Sequence, residues 1–182
     1  MARLPYITRE DPPQEHVPLW DDLAGERGRL PLVTQVLMYR PPLAAMAEHI
    51  NRAVRFDLSL PRSSVELVIL TAARELNCLR EWAVHLSQAR TNGVREEAIQ
   101  AIKDKRAPEG LTEEEAELVT YAQELLRGSR VSDKTFSAAH RRLGDVGVVD
   151  LTALVGVYSM LGAVMNVFEV EPPDDEALLL PL

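Results

Sequence analysis

Glu66, Glu81, His85 and the only cysteine of the chain, Cys78, fall within one short segment of the sequence. Eleven residues separate Glu66 from Cys78, and Glu81 lies between Cys78 and His85. Carboxylates and imidazoles transfer protons, and a thiolate is a nucleophile. These groups stand where a buried core would place apolar side chains, so the segment indicates a chemical site.

Two helices must position these groups. Apolar residues recur at helical spacing from Val65 to Leu76 and predict a helix over residues 64–76, which Asn77 interrupts. Glu66 shares a face of this helix with mostly apolar neighbours. We therefore expect its carboxylate to be at least half buried.

A further helix is predicted over residues 78–92. On it, Cys78, Glu81 and His85 stand at i, i+3 and i+7 and can face one pocket, with Trp82 as its wall. Cys78 also lies near the N-terminus of this helix, where the helix dipole favours a thiolate.

Each of these residues also has an ordinary structural interpretation. A single cysteine is most often a small buried apolar side chain, and Glu81 with His85 could be a surface ion pair. Cys78, Glu81 and His85 could also bind zinc, but structural zinc sites prefer more cysteine and histidine, so we expect no metal. The combination at these spacings favours a functional site over these alternatives.

The motif resembles that of the carboxymuconolactone decarboxylase family, which includes the alkylhydroperoxidase D-like proteins. That superfamily has a glutamate, eleven residues, Cys-x-x-Cys, and a histidine four residues after the second cysteine. Glu66, Cys78 and His85 match, and Glu81 stands in place of the second cysteine, as in the Glu-Trp-x-x-His version of the decarboxylase-like branch. The resemblance covers about residues 30–172; further segments that carry it are Ala89, Asn92-Gly93-Val94, Glu97-Ala98-Ile99, Gly156-Val157-Tyr158 and Val164 to Phe168.

The missing second cysteine decides between the activities that the resemblance implies. A two-cysteine peroxidase needs a second thiol to resolve the sulfenic acid formed on the first, and Glu81 cannot do this. Cys78 could act only as a one-cysteine peroxidase with an external thiol. A decarboxylase-like carboxy-lyase therefore becomes the main interpretation, with that peroxidase and a non-catalytic helical interaction module as alternatives.

A carboxy-lyase of this kind acts on a small carboxylated lactone or a related enol or oxo acid. Loss of CO2 leaves a dienolate, and a site that stabilises this anion and delivers a proton needs no metal or organic cofactor. We expect His85 to transfer the proton and Glu66 or Glu81 to orient or charge it. The residues expected to bind substrate are Trp82, Tyr158 and Asn166, with Arg74 or Arg80 for a carboxylate.

The whole chain predicts a single all-α domain, since no segment alternates with the period of a strand. We divide it into a Pro-rich, irregular N-terminal arm over residues 1–30, a helical domain over 31–172 and an acidic and apolar tail over 173–182. The apolar stretch 151–168 has acidic rather than basic flanks, which indicates a buried central helix and not a membrane span.

The net charge and the cysteine content of the chain indicate which partners and which compartment to expect. The 182 residues carry a formal net charge of −8, which disfavours nucleic acid and anionic membranes. No signal peptide is recognisable, and one cysteine forms no internal disulfide, so we expect a cytoplasmic protein. The resemblance further implies a homo-oligomer (a dimer, trimer or hexamer) that binds a small-molecule substrate.

Overall fold

The computed structural model describes residues 2–175 and residue 180, and this part of the chain is all-α without strands. Two short 3-10 turns flank the first α-helix. The α-helices are α1 (Val17–Ala24), α2 (Leu32–Leu37), α3 (Pro41–Phe56), α4 (Arg62–Glu75), α5 (Leu79–Thr91), α6 (Glu96–Lys103), α7 (Glu113–Gly128) and α8 (Asp133–Val167). The predicted all-α class is confirmed.

Helix α4 lies at the centre of the domain. Every residue from Ser64 to Arg74 is buried, and α4 packs against α5, α6, α7 and α8. A helix surrounded on all sides is apolar around its whole circumference, and here the few polar residues on it are exceptions that need a partner. The prediction that residues 151–168 form the central helix is wrong, because α4 takes that place.

The junction between α4 and α5 is a tight turn at the predicted interruption. Asn77 has a left-handed backbone with φ of 48°, a conformation that asparagine tolerates better than most residues. Cys78 then has extended dihedral angles and is the N-cap residue of α5, whose first helical residue is Leu79. The turn reverses the chain so that α5 packs along α4.

Helix α8 is broken at Gly144, where φ is 68° and ψ is −175°. The break separates two helical segments, and glycine adopts such a backbone at no steric cost. Beyond the break, one face of α8 packs on the core and the other is exposed. α8 is also the one described helix that is long and apolar enough to cross a membrane, and half of its most apolar window is buried within the domain, as in a core helix.

The N-terminal segment is more regular than predicted. It contains α1, and Pro18 does not break this helix because proline is tolerated in the first turn. Trp20 is buried in a small second cluster of apolar residues that includes Met38 and Ala44. The arm is therefore laid over the body of the domain. Residues 176–179, 181 and 182 of the predicted tail lie outside the described residues.

Candidate functional site

The candidate site is centred on His85, whose ring lies between two glutamates. Its Nδ1 is 2.8 Å from Oε2 of Glu66, and its Nε2 is 3.1 Å from Oε1 of Glu81. Glu66 is 0% exposed, His85 3% and Glu81 7%. Glu81 and His85 are one turn apart on α5, and Glu66 comes from α4, so the packing of these two helices assembles the site.

This geometry favours the cationic form of His85. Carboxylate oxygens only accept hydrogen bonds, and both imidazole nitrogens donate only in the imidazolium. Burial lowers the pKa of His85, but its hydrogen bonds with Glu66 and Glu81 outweigh burial and raise the pKa above its ordinary value of 6.5. The site therefore holds a positive charge between two negative ones.

Tyr158 of α8 completes the buried cluster. Its hydroxyl lies 3.5 Å from Nε2 of His85, and the two rings meet edge to face with centroids 5.3 Å apart. Burial, with help from the charge of Glu81, raises the pKa of Tyr158 well above its ordinary value, and Arg55 acts weakly in the opposite direction. The hydroxyl keeps its proton and can donate a hydrogen bond to a ligand.

Two arginines that lie beside the site, Arg55 and Arg62, were not among the residues predicted from the sequence. Nη2 of Arg62 lies 3.6 Å from Oε1 of Glu66, one turn along α4. Arg55, in the last turn of α3, donates to the side chain of Gln88. The guanidinium carbons of Arg62 and Arg55 lie 4.7 Å and 5.0 Å from the ring centroid of Phe56. The i, i+4 spacing of Arg62 and Glu66 was the available signal, whereas Arg55 comes from the preceding helix, α3, and no spacing rule places it beside the site.

Cys78 differs from the expected nucleophile. It is 1% exposed, and burial raises the pKa of its thiol to about 11. The expectation that the N-terminus of α5 favours a thiolate is wrong here, because the cost of burying a charge exceeds the effect of the helix dipole. No hydrogen bond joins Cys78 to His85 within the described part of the chain.

The other predicted residues divide into those at the site and those elsewhere. Trp82 is fully buried in the core beside this segment, with its Nε1 unpartnered. Asn166 is exposed and donates to the carbonyl of Leu76, so it caps the end of α4 and does not reach the cluster. Arg74 donates to Lys103 and Asn77, and Arg80 donates to the backbone of Glu171. Neither arginine contacts the Glu66–His85 pair.

Among the described residues, no group of three or more histidine, cysteine, aspartate or glutamate side chains is arranged to hold a metal ion. Glu66 and Glu81 both direct an oxygen at His85. The arrangement suits proton transfer and the binding of an anion beside a cation.

Several solved structures share this fold. A peroxidase-related protein from Ralstonia eutropha JMP134, described as an alkylhydroperoxidase AhpD core, superposes with a TM-score of 0.79 at 16% identity, covering 95% of this chain and 93% of that chain. A peroxidase-related protein from Silicibacter sp. TM1040 gives a TM-score of 0.76 at 14% identity, covering 95% of this chain and 92% of that chain. The debrominase Bmp8, as a cysteine-to-alanine variant with 2,3,4-tribromopyrrole, gives a TM-score of 0.76 at 12% identity, covering 98% of this chain and 96% of that chain. The fold is therefore AhpD-like.

The sequence matches a known family over part of its length. Residues 41–124 match the Carboxymuconolactone decarboxylase family, which confirms the resemblance seen in the motif. The matched region runs from the start of α3 into α7 and includes the Glu66–His85 segment, but not Tyr158. A comparison with curated proteins found no match.

Proposed function

We propose that this protein is a cofactor-independent carboxy-lyase that acts by proton transfer on a small carboxylated lactone or a related enol or oxo acid. The observation that carries the proposal is the buried imidazole of His85, whose Nδ1 lies 2.8 Å from an oxygen of Glu66 and whose Nε2 lies 3.1 Å from an oxygen of Glu81. The family match supports a decarboxylase-like reaction. The AhpD-like fold alone does not select a reaction, since one fold hosts several chemistries.

The reaction needs an acid next to a developing carbanion. Cleavage of the bond between the ring carbon and the carboxylate releases CO2 and leaves the electron pair on the ring as a dienolate. The imidazolium of His85 stabilises this anion and gives its Nε2 proton to the ring, and solvent then restores that proton. The reaction consumes one proton in all and requires no oxidant or reductant.

The two glutamates have different positions and therefore different proposed roles. Glu66 accepts from Nδ1 and is completely buried, so it fixes the ring and favours its charge. Glu81 meets Nε2, the nitrogen that also faces Tyr158. Glu66 orients the ring, and Nε2 of His85 is the nitrogen that gives its proton to the substrate. Glu81 shares this Nε2 proton in the resting site. Tyr158 donates to an oxygen of the dienolate.

The one-cysteine peroxidase is the second candidate, and the names of two structural neighbours are its main support. A peroxidase of this kind attacks the peroxide with a thiolate. The buried thiol of Cys78, with its pKa raised to about 11, holds little thiolate at neutral pH. This observation favours the lyase.

The test compares CO2 release from a carboxylated lactone by metal-free wild type, His85→Gln and Cys78→Ser proteins. We expect His85→Gln to lose at least 100-fold in kcat/KM, in line with the usual contribution of about 10²–10⁴ from acid–base groups. Cys78→Ser should keep most of the activity. Full activity in His85→Gln, or thiol-dependent peroxide consumption that only Cys78→Ser abolishes, would overturn the proposal.

A further inference from the structure

The buried cluster around His85 carries more negative than positive charge. Glu66 and Glu81 are two carboxylates, and the imidazolium of His85 compensates only one of them. Glu66 is completely buried, and an uncompensated charge in a protein interior is costly. Either an additional proton or a second cation must therefore balance the cluster.

Arg62 is a second cation in contact with this cluster. Its Nη2 lies 3.6 Å from Oε1 of Glu66, whereas His85 faces Oε2, the other oxygen of the same carboxylate. Nη1 of Arg62 and Oε1 of Glu66 are both buried without a hydrogen-bond partner. At this distance the contact is an ion pair rather than a hydrogen bond. Glu66 thus has a cation beside each of its two oxygens.

The local preferences of a helix do not explain the position of Arg62. It is the first residue of α4, where the helix dipole favours an anion and disfavours a cation. An arginine four residues before a glutamate is also the less favourable order for an ion pair within one helix. Arg62 therefore stands where helix formation alone would not favour it, and this indicates a role in the site.

The surroundings of Arg62 make its charge effective at Glu66. Its guanidinium carbon lies 4.7 Å from the ring centroid of Phe56, and the attraction between a cation and an aromatic face holds the group there. The side chain of Arg62 is 36% exposed and that of Glu66 is 0% exposed. Water therefore weakens the interaction at the arginine end, but it does not screen the carboxylate.

The other charged and titratable groups around Glu66 do not replace Arg62. Arg55 of α3 forms no ion pair with Glu66 in the described part of the chain, and Glu81 of α5 adds a negative charge. Tyr158 of α8 and Cys78 are buried and keep their protons, so they are neutral. Helices α6 and α7 also pack against α4, and none of their described charged groups is paired with Glu66.

We propose that Arg62 is a positioning residue that keeps Glu66 ionised, so that the imidazolium of His85 keeps its orienting partner. A protonated Glu66 would be a weaker acceptor for Nδ1 and would no longer compensate the charge of the ring. Arg62 acts on the reaction through Glu66 and does not need to touch the substrate. Its effect on the rate rests on the proposed function, whereas the ionisation of Glu66 can be measured without turnover.

Infrared spectroscopy of the folded protein at neutral pH tests this ionisation directly, because a protonated carboxyl group and a carboxylate absorb at different frequencies. Arg62→Gln should gain the band of one protonated carboxyl group that wild type lacks. Arg62→Met, which keeps an apolar stem against Phe56, should gain the same band. Arg62→Lys should not, because lysine restores the charge. The band should disappear when Glu66→Gln is added to Arg62→Gln.

Arg52→Gln is the matched control for the infrared test. It removes an exposed arginine from α3, so it changes the net charge equally without touching the cluster, and its spectrum should match that of wild type. Carboxylate-only spectra in both Arg62→Gln and Arg62→Met would overturn the inference. A protonated carboxyl band of equal size in Arg52→Gln would overturn it as well, since net charge alone would then explain the effect.

The kinetic test is a double-mutant cycle between Arg62 and Glu66. Arg62→Gln should lower kcat about 10- to 100-fold and change KM less, the usual worth of a hydrogen bond to a charged group. Adding Arg62→Gln to Glu66→Gln should cause little further loss, because Arg62 acts through Glu66. Multiplicative losses in the double variant would overturn the inference and leave the lyase standing. A wild type without lyase activity, together with the infrared band in Arg62→Gln, would overturn the lyase and support the role of Arg62.

Discussion

At the scale of single residues, the charge of His85 depends on two hydrogen bonds that work against burial. Burial in a core disfavours an imidazolium, and only the paired carboxylates of Glu66 and Glu81 make the cation favourable. Burial likewise keeps Cys78 as a protonated thiol, because the charge of Arg80 offsets little of the cost of burial and Glu81 adds to it. His85 and Cys78 thus end in opposite states because the carboxylates favour the charged form of His85 and no comparable interaction favours a thiolate at Cys78.

The raised pKa of His85 fixes the direction of two pH effects. Its contribution to the free energy of unfolding is fully present below the unfolded value of about 6.5 and is lost as pH rises through the folded pKa. The lyase rate should fall over the same upper range, since the acid is lost. The measurement is kcat against pH together with urea unfolding of wild type and His85→Gln. A rate that rises steadily through this range would contradict the account.

Cys78 should be unreactive in the folded protein. Because its thiol is buried with a pKa of about 11, iodoacetamide at pH 7.5 should label it only after unfolding in urea, as read by mass spectrometry. Cys78→Ser, with no thiol left, is the blank for both conditions. Rapid labelling of the folded wild type would instead support the peroxidase.

At the scale of elements, α8 holds a close contact that its glycines permit. A Cβ on Gly147 would lie 2.6 Å from Cβ of Leu143, across the break at Gly144. Because Leu143 Cβ is fixed to the backbone, it cannot rotate away. We therefore expect Gly147→Ala to lower the free energy of unfolding by about 1–3 kcal/mol.

The control for this substitution is Gly128→Ala in α7, where an added Cβ would meet nothing within 4 Å. It should leave stability unchanged or raise it by up to about 1 kcal/mol. Urea unfolding measures both variants. Equal free energies of unfolding for the two variants would contradict the prediction, because they would mean that Leu143 can move away from the added Cβ at no cost.

The elements were largely predictable because their signals are local. The helical spacing of α4 and the interruption at Asn77 both appear in the structure as expected. The convergence of Glu66, Glu81 and His85 also followed from spacing, given that α4 and α5 pack together. Arg55 was not predictable, because it reaches the site through the packing of a third helix.

Asn166 shows the other limit of sequence reasoning. Its position on the last helix suggested a substrate contact, but it lies two turns beyond Tyr158 and caps the end of α4. The sequence also placed α8 rather than α4 at the centre of the fold, because composition identifies an apolar helix but not the helices that pack around it. α8 is more continuously apolar than α4, yet only one of its faces meets the core.

At the scale of the whole molecule, α8 leaves an apolar stripe exposed. The exposed residues alternate in steps of three and four, the spacing of a coiled-coil seam. They are Val146, Val149, Ala153, Gly156, Met160, Ala163 and Val167. Part of the stripe lines a groove of about 550 Å³ at the break in the helix. Such a seam suits the same seam of a second copy, and it is where we expect the subunits of the homo-oligomer implied by the resemblance to meet.

Met160→Glu tests this expectation. A glutamate in the seam should reduce the mass of the assembly in solution to that of the protomer, about 20.3 kDa, because a charge would be buried without a partner. Ser137→Glu, on an exposed position before the break, should keep the wild-type mass. Light scattering after size exclusion measures all three proteins. A wild type that is already monomeric would contradict the prediction.

The central claim is that His85 is an imidazolium held between Glu66 and Glu81, and ¹⁵N NMR of its ring tests this most directly. The chain has four histidines, and His85→Gln identifies the signals that belong to the site. We predict that both ring nitrogens of His85 remain protonated at pH 7, above the ordinary midpoint of about 6.5. A neutral ring at pH 7, with one nitrogen unprotonated, would contradict the account.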